Sequence, residues 1–333
     1  MYGRGGSLFC RGLGARFTHS PGYCCCPSPL RHLHGAWVIP GASFWSRLRA
    51  WAALVVAATQ TATVLGHPFI NTSPRAAADC SKEVLQAAAD AYVAAQTAGN
   101  VTLLEGVVAT AGWEYEQNNK KMEAKAGVLG KALKPDHRRT NFDLVACATY
   151  TELISASDPA NPYVMGVQLR HRVEDGKVVL IDVIASTTDS WLFNATKTLE
   201  YVRQEKWDVI PEEKRDKREV IKAAGDAYMD MWNDSTAADK VPWGTPCTRL
   251  EGSAYTGRGQ PDDSCKAGIP SNHNQAPNTR RRYVIDEAMG SITIFCVWEH
   301  MMMAADSHEF RLENGKLRYV HTMTECGGRQ CRL

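Results

Sequence analysis

The chain writes one pattern twice, and this limits its fold more than any other feature. "AAADAYVAAQTAG" runs from Ala87 to Gly99 and "KAAGDAYMDMWND" from Lys222 to Asp234. Both contain Ala-x-Asp-Ala-Tyr, with Tyr92 and Tyr228 separated by 136 positions. Further matches follow in the same order. Arg138-Arg139-x-x-x-Asp143 returns as Arg281-Arg282-x-x-x-Asp286, and Glu174-Asp175-Gly176-Lys177 as Glu313-Asn314-Gly315-Lys316. A period this long is a duplicated domain, since solenoid repeats are far shorter.

Each copy reads as a helix followed by antiparallel strands. Val84, Leu85, Ala88, Tyr92 and Ala95 recur at helical spacing after Ser81, a helix-capping residue, and Gly99 is a stop signal. "NFDLVACATYTELISA" (residues 141–156) reads as a strand. "NPYVMGVQLRHRV" and "KVVLIDVIAST" flank Asp175-Gly176, a hairpin signal, and Asn314-Gly315 plays that part in the second copy. Residues 241–278 read as a long Gly/Pro/Asn loop. The expected class is α+β: two tandem cone-shaped units, each a curved antiparallel sheet packed by helices. The expected division is an arm over 1–66, a short linker over 67–79, a first unit over 80–210, a linker over 211–217, a second unit over 218–326 and a tail over 327–333.

A cone lined by apolar side chains with a few polar groups is a small-molecule site. Strand alternation places Val178, Leu180, Asp182 and Ile184 on one face of the first unit's last strand, and Leu317, Tyr319, His321 and Met323 on the matching face of the second. Asp182 and His321 therefore align as candidate general bases, and satisfied core polar groups are the plainer alternative. Tyr92 and Tyr228 are candidate donors to a developing oxyanion, against an ordinary core role. Arg138, Arg139 and Arg282 open equivalent strands and, with Tyr319, are candidates to hold a substrate carboxylate, against a solvated strand edge. Trp113, Trp191, Trp232, Trp243 and Trp298 read as core, and His300–Met303 as a loop or an apolar lip over a pocket.

The net charge of +2 conceals an asymmetry. Six of the 38 basic residues and none of the 36 acidic ones fall in residues 1–66, so the remainder carries 32 basic and 36 acidic groups, net −4. A mildly acidic body has no electrostatic reason to seek phosphate backbones, so nucleic acid is not an expected partner. "AWAALVVAATQTATVL" (residues 50–65), after Arg47 and Arg49, reads as the apolar part of a secretory signal. The acid-free arm also suits a mitochondrial transit peptide, an alternative that glycosylation of the expressed protein would exclude. Sequons at Asn71, Asn100, Asn194 and Asn233 point to the secretory route. Four of the 11 cysteines lie in the arm (Cys10, Cys24, Cys25, Cys26). Of the other seven, Cys80 with Cys147 and Cys247 with Cys265 are the expected disulfides. One thiol is left over, with Cys326 or Cys331 as the candidate. No pair has zinc or redox spacing, and no cofactor motif occurs, so neither metal nor cofactor is expected.

Several stretches carry a resemblance: "AAADAYVAAQTAG", "CATYTELI", "NPYVMGVQLRHRVEDGK", "WLFNATKTLEY", "VPWGTPCTRLEG", "RRYVIDE" and "DSHEFRLENGKLRYVHT". From Cys80 to Thr324 the chain resembles a family of secreted fungal proteins with a domain of unknown function. That family is similar in fold to ketosteroid isomerase and nuclear transport factor 2 (the NTF2-like, or SnoaL-like, fold). Some similar proteins act as dimerising cyclases in maleidride biosynthesis. The resemblance implies a secretory-pathway isomerase or cyclase that needs no cofactor. Its substrate would be a small apolar carbonyl or anhydride compound, and other biosynthetic enzymes would be partners. The isomerase dyad does not transfer residue by residue, because His321 stands where the first unit has Asp182. The alternative is a secreted small-molecule-binding protein without chemistry. The oligomeric state stays open, a homodimer being one option.

Overall fold

Ser81 begins the first helix by accepting a hydrogen bond from the Val84 amide, and Gly99, at φ 61°, ends it. Between them α1 (Lys82–Ala98) buries Leu85, Ala88, Tyr92 and Ala95 along one stripe. The equivalent stripe of α3 (Arg218–Asp230) is Ile221, Ala224, Gly225 and Tyr228. A Cβ on Gly225 would lie 3.1 Å from both Ile292 and Ile294, so this helix sits directly on its sheet. The computed structural model describes residues 80–331. The arm, its four cysteines and Asn71 lie outside the described residues.

The first sheet holds β1 (Glu114–Gln117), β2 (Lys120–Lys121), β3 (His137–Asp143), β4 (Ala148–Ser155), β5 (Tyr163–His171) and β6 (Val178–Ser186). The second holds β7 (Thr248–Glu251), β8 (Ala254–Tyr255), β9 (Asn278–Asp286), β10 (Ser291–Trp298), β11 (Ala304–Glu313) and β12 (Lys316–Glu325). Strand order is β2-β1-β6-β5-β4-β3 in one and β8-β7-β12-β11-β10-β9 in the other. The duplication is therefore one of topology as well as sequence, and the class is α+β. Short helices α2 (Ala195–Val202) and α4 (Ser235–Ala238) complete the elements.

The two sheets pack back to back. Tyr150, Ile154, Val164 and Ile184 of the first meet Leu250, Val284, Phe295 and Met323 of the second, with Ala195 and Val202 of α2 beside them. Gly166 permits this approach: a Cβ there would lie 2.9 Å from the Tyr150 ring and 3.1 Å from that of Phe295. Two aspartates lock the seam reciprocally. The Ile285 amide donates to Asp143 (2.8 Å) and the Phe142 amide to Asp286 (2.7 Å). Both partners are repeat equivalents, so the halves are related by an approximate two-fold axis.

Four expectations change. Residues 141–156 are not one strand. β3 stops at Asp143, whose carboxylate accepts the Ala146 amide, and β4 starts at Ala148 after Cys147 at φ 50°. The loop over 241–278 contains β7 and β8, and β7 joins β12 in parallel as β1 joins β6. Register shifts after Arg170 and Arg311 turn Val178 and Leu317 to the helix side, away from Leu180 and Tyr319. The disulfides are Cys80–Cys147, Cys247–Cys265 and Cys326–Cys331, so the unpaired thiol is the buried Cys296, not a C-terminal one. No described helix is long and apolar enough to cross a membrane.

Candidate active site

Strand alternation gives each sheet a helix side and a seam side, and the candidate residues divide between them. Asp182 and His321 face the seam, not the cones. Asp182 pairs with Arg282 of the other sheet at 2.5 Å. Burial pushes its carboxyl up, and Arg282 only partly offsets that. His321 lies between Glu152 (Nδ1 to Oε1, 2.9 Å) and Glu205 (Nε2 to Oε2, 2.6 Å). Burial works against its charge, but Glu205 and Glu152 prevail and raise it to about 10. Arg139 joins Glu152 (2.8 Å) to Glu309 (2.6 Å), with the Trp207 ring 3.4 Å from its guanidinium carbon. Tyr319 stacks on the same tryptophan, and its hydroxyl accepts the Lys206 amide. Arg138 faces the other way and pairs with Asp90 of α1.

These groups are partnered ion pairs inside a sheet-to-sheet interface, where a charge survives only with a counter-charge. Oxygen and nitrogen atoms of Glu152, Glu309 and His321 lie within 4.8 Å of one another, close enough to share a metal ion. Arg139 already bridges the two carboxylates and both His321 nitrogens are engaged, so the trio is satisfied as it stands.

On the helix side the two units differ. In the first, Tyr92, Tyr115, Leu129, Leu133 and Met165 fill the space beneath α1. The Tyr92 hydroxyl donates to Gln96 (3.3 Å), whose amide holds the carbonyls of Val128 and Lys131 (both 2.9 Å). Tyr92 is a core residue. In the second unit a cavity of about 70 Å³ remains between α3 and the sheet. Tyr228 lines it, alone among the eight side chains the sequence put forward for catalysis and substrate binding.

The polar heart of the cavity lies on β11. Asp306 and His308 are two residues apart, so both project to the helix side. They are 1% and 3% exposed. His308 Nδ1 meets Asp306 Oδ2 at 2.6 Å. Asp306 also accepts from the Thr324 hydroxyl (2.6 Å) and the Cys296 thiol (3.6 Å). Burial and then the Asp306 charge push that thiol well up, so it remains a donor. The aspartate thus has three neighbours that fix its rotamer, and it fixes the histidine in turn. Nε2 of His308 has no partner among the described residues.

Aromatic rings shape the rest. His308 stacks on Trp298 (centroids 5.2 Å apart, 19° between planes), whose Nε1 donates to Gln275. The Tyr228 ring lies 5.7 Å from His308. Burial pushes its hydroxyl up to about 12, with Arg249 opposing, so it stays protonated at neutral pH. That hydroxyl, Trp232 Nε1 and Thr322 Oγ1 are buried without partners. Trp191, Trp232, Trp298 and Met301 line the space; the tryptophans belong to the core cluster of the second unit, as expected, and wall the cavity as well, together with a methionine of the apolar lip.

Sequence reasoning passed over Asp306, His308 and Arg249. "DSH" carried a readable signal, an acid and a histidine one strand period apart. It was hidden because the register shift after Arg311 decides which face they take.

Residues 214–324 match a domain of unknown function, DUF8021. The matched span holds α3, the whole second sheet and every cavity residue named here except Trp191. No curated protein and no solved structure matches the chain.

Proposed function

We propose that the second unit is a cofactor-independent enzyme acting on one small carbonyl compound, with His308 as general base and Tyr228 as oxyanion donor. One observation carries this reading: a buried Asp–His pair whose outer nitrogen is unpartnered and lines a cavity walled by aromatic rings. His308 Nε2 takes a proton from the carbon beside the carbonyl. The C–H electron pair moves into an enolate, and the Tyr228 hydroxyl donates to its oxygen. Asp306 stabilises the imidazolium that forms, and the imidazolium returns the proton at the same or a neighbouring carbon, which is isomerisation.

The cavity is small beside the 300–1,000 Å³ of usual ligand pockets. It suits a compact molecule or the reacting end of a longer one. This speaks for isomerisation of a single compound over joining of two maleidride precursors. Trp191 also walls an open groove of about 800 Å³, where the remainder of a longer ligand has room. The repeated helix-on-sheet order supports reading each unit as a nuclear transport factor 2-like fold. Three disulfides and exposed sequon asparagines at 100, 194 and 233 support a secretory route.

Deuterium exchange into acetone and 2-butanone, followed by NMR, tests the chemistry. The wild-type protein is expected to accelerate exchange, and His308→Asn to lose about 10²–10⁴-fold of that rate. Equal rates in the two proteins refute the base assignment. Binding of these ketones without any exchange means a binding protein instead.

A further inference from the structure

The proposed enzyme leaves Arg249 without a task, although among the described residues it is the one lysine or arginine facing this cavity. β7 sends Leu250 into the seam and Arg249 with Glu251 to the helix side. Arg249 is 4% exposed. Its Nη2 donates to the Ala267 carbonyl (2.6 Å) and lies 3.3 Å from Glu251. Nε and Nη1 are buried and meet no carbonyl or carboxylate, with the Tyr228 hydroxyl as a polar neighbour of the guanidinium.

Unpaired buried donors of a charged group are expensive, more so than those of a neutral one. The cavity's unpartnered atoms also have a common character. Arg249 Nε and Nη1 and Trp232 Nε1 can only donate, while the hydroxyls of Tyr228 and Thr322 can donate too. The other acceptors in the lining, Asp306 and Glu251, already have donors of their own, which leaves His308 Nε2 to set against them. A site that offers donors calls for a ligand rich in acceptors. A carboxylate has acceptors only and pairs with guanidinium better than any neutral group. Glu251 does not fill that role. It reaches the Nη2 edge, is partly exposed and is held by the Trp191 indole at 3.0 Å.

Resting on the catalytic reading above, we propose that Arg249 makes this cavity a carboxylate site, so that the substrate is a small oxo acid. Arg249 grips the carboxylate and leaves the neighbouring carbonyl and its acidic carbon to Tyr228 and His308. Specificity then comes from the guanidinium and size from the tryptophan walls.

Crotonate and crotonamide have nearly the same shape and differ in charge, and the tryptophans lining the cavity report binding by fluorescence. The full-length protein is expected to bind crotonate at least tenfold more tightly than crotonamide. Arg249→Gln is expected to erase that preference, and Tyr92→Phe, in the filled core of the first unit, to keep it. If Arg249→Gln does not fold, as its circular dichroism would show, the wild-type preference decides alone. Equal or tighter binding of crotonamide by the wild type overturns the carboxylate site and leaves the enzyme reading intact. A preference that survives Arg249→Gln overturns the role of this arginine. No fluorescence change with either compound at millimolar concentration overturns the site and the cavity reading together.

Discussion

At the scale of single residues, the two repeat-equivalent tyrosines hold opposite positions. Tyr92 donates to Gln96 in a filled core, while the Tyr228 hydroxyl has no partner and borders the cavity. Tyr228→Phe removes at most a contact with the Arg249 guanidinium, so its unfolding free energy should change by about 1 kcal/mol or less. Its exchange rate should fall about a hundredfold to a thousandfold, as expected for loss of one oxyanion donor. Tyr92→Phe should leave the rate unchanged. Equal rates for both variants would remove Tyr228 from the chemistry. Tyr228 was legible from its place in the repeated helix. His308 was not, because alternation gives the faces of a strand only up to its first irregularity. Asp182 and His321 were picked out as ionisable groups among aliphatic neighbours. That pattern equally describes a buried ion pair whose partner, Arg282 or Glu152, lies far away in sequence.

Whole elements were easier to read than their irregularities. Helices α1 and α3, the Asn314-Gly315 hairpin and the Cys80–Cys147 and Cys247–Cys265 bridges follow from local patterns and spacing. At the hairpin both turn residues have positive φ, 54° and 70°, as a two-residue loop requires. Strands β7 and β8 stayed hidden, since "TRLE" and "AY" are too short and polar to show a period. The bridges differ in the length of chain they close, 67 residues against 18. Cys80→Ala with Cys147→Ala is expected to cost about 4 kcal/mol, and Cys247→Ala with Cys265→Ala about 3 kcal/mol, in urea unfolding. A reversed order would mean that strain or unfolded-state structure governs these bridges.

For the whole molecule, duplication explains how the space beneath the helix came to be a cavity in one half and filled in the other. The approximate two-fold axis joins two copies of one plan back to back, and each seam residue has an equivalent free to diverge. Arg139 meets Glu152 and Glu309, with His321 on the other side of Glu152, whereas Arg282 meets Asp182. The seam makes stability depend on pH in a definite sense. His321 has a folded value of about 10, above the ordinary 6.5 of an unfolded histidine. Its charged form therefore stabilises the fold fully below pH 6.5, and that support is lost as pH rises toward 10. Wild-type stability is expected to fall with a slope of up to about 1.4 kcal/mol per pH unit across this window. His321→Gln, destabilised throughout, should lack that slope. A slope that persists in the variant assigns it to other groups.

The most direct test sets the two buried aspartates against each other in the ketone exchange assay. Asp306→Asn should lower the rate by about two orders of magnitude or more, because His308 loses the group that orients it and stabilises its cation. Asp182→Asn, in the seam, should leave the rate of the folded protein within about twofold of wild type. The opposite pattern, with activity lost at Asp182 and retained at Asp306, would place the chemistry between the sheets and contradict the site described here.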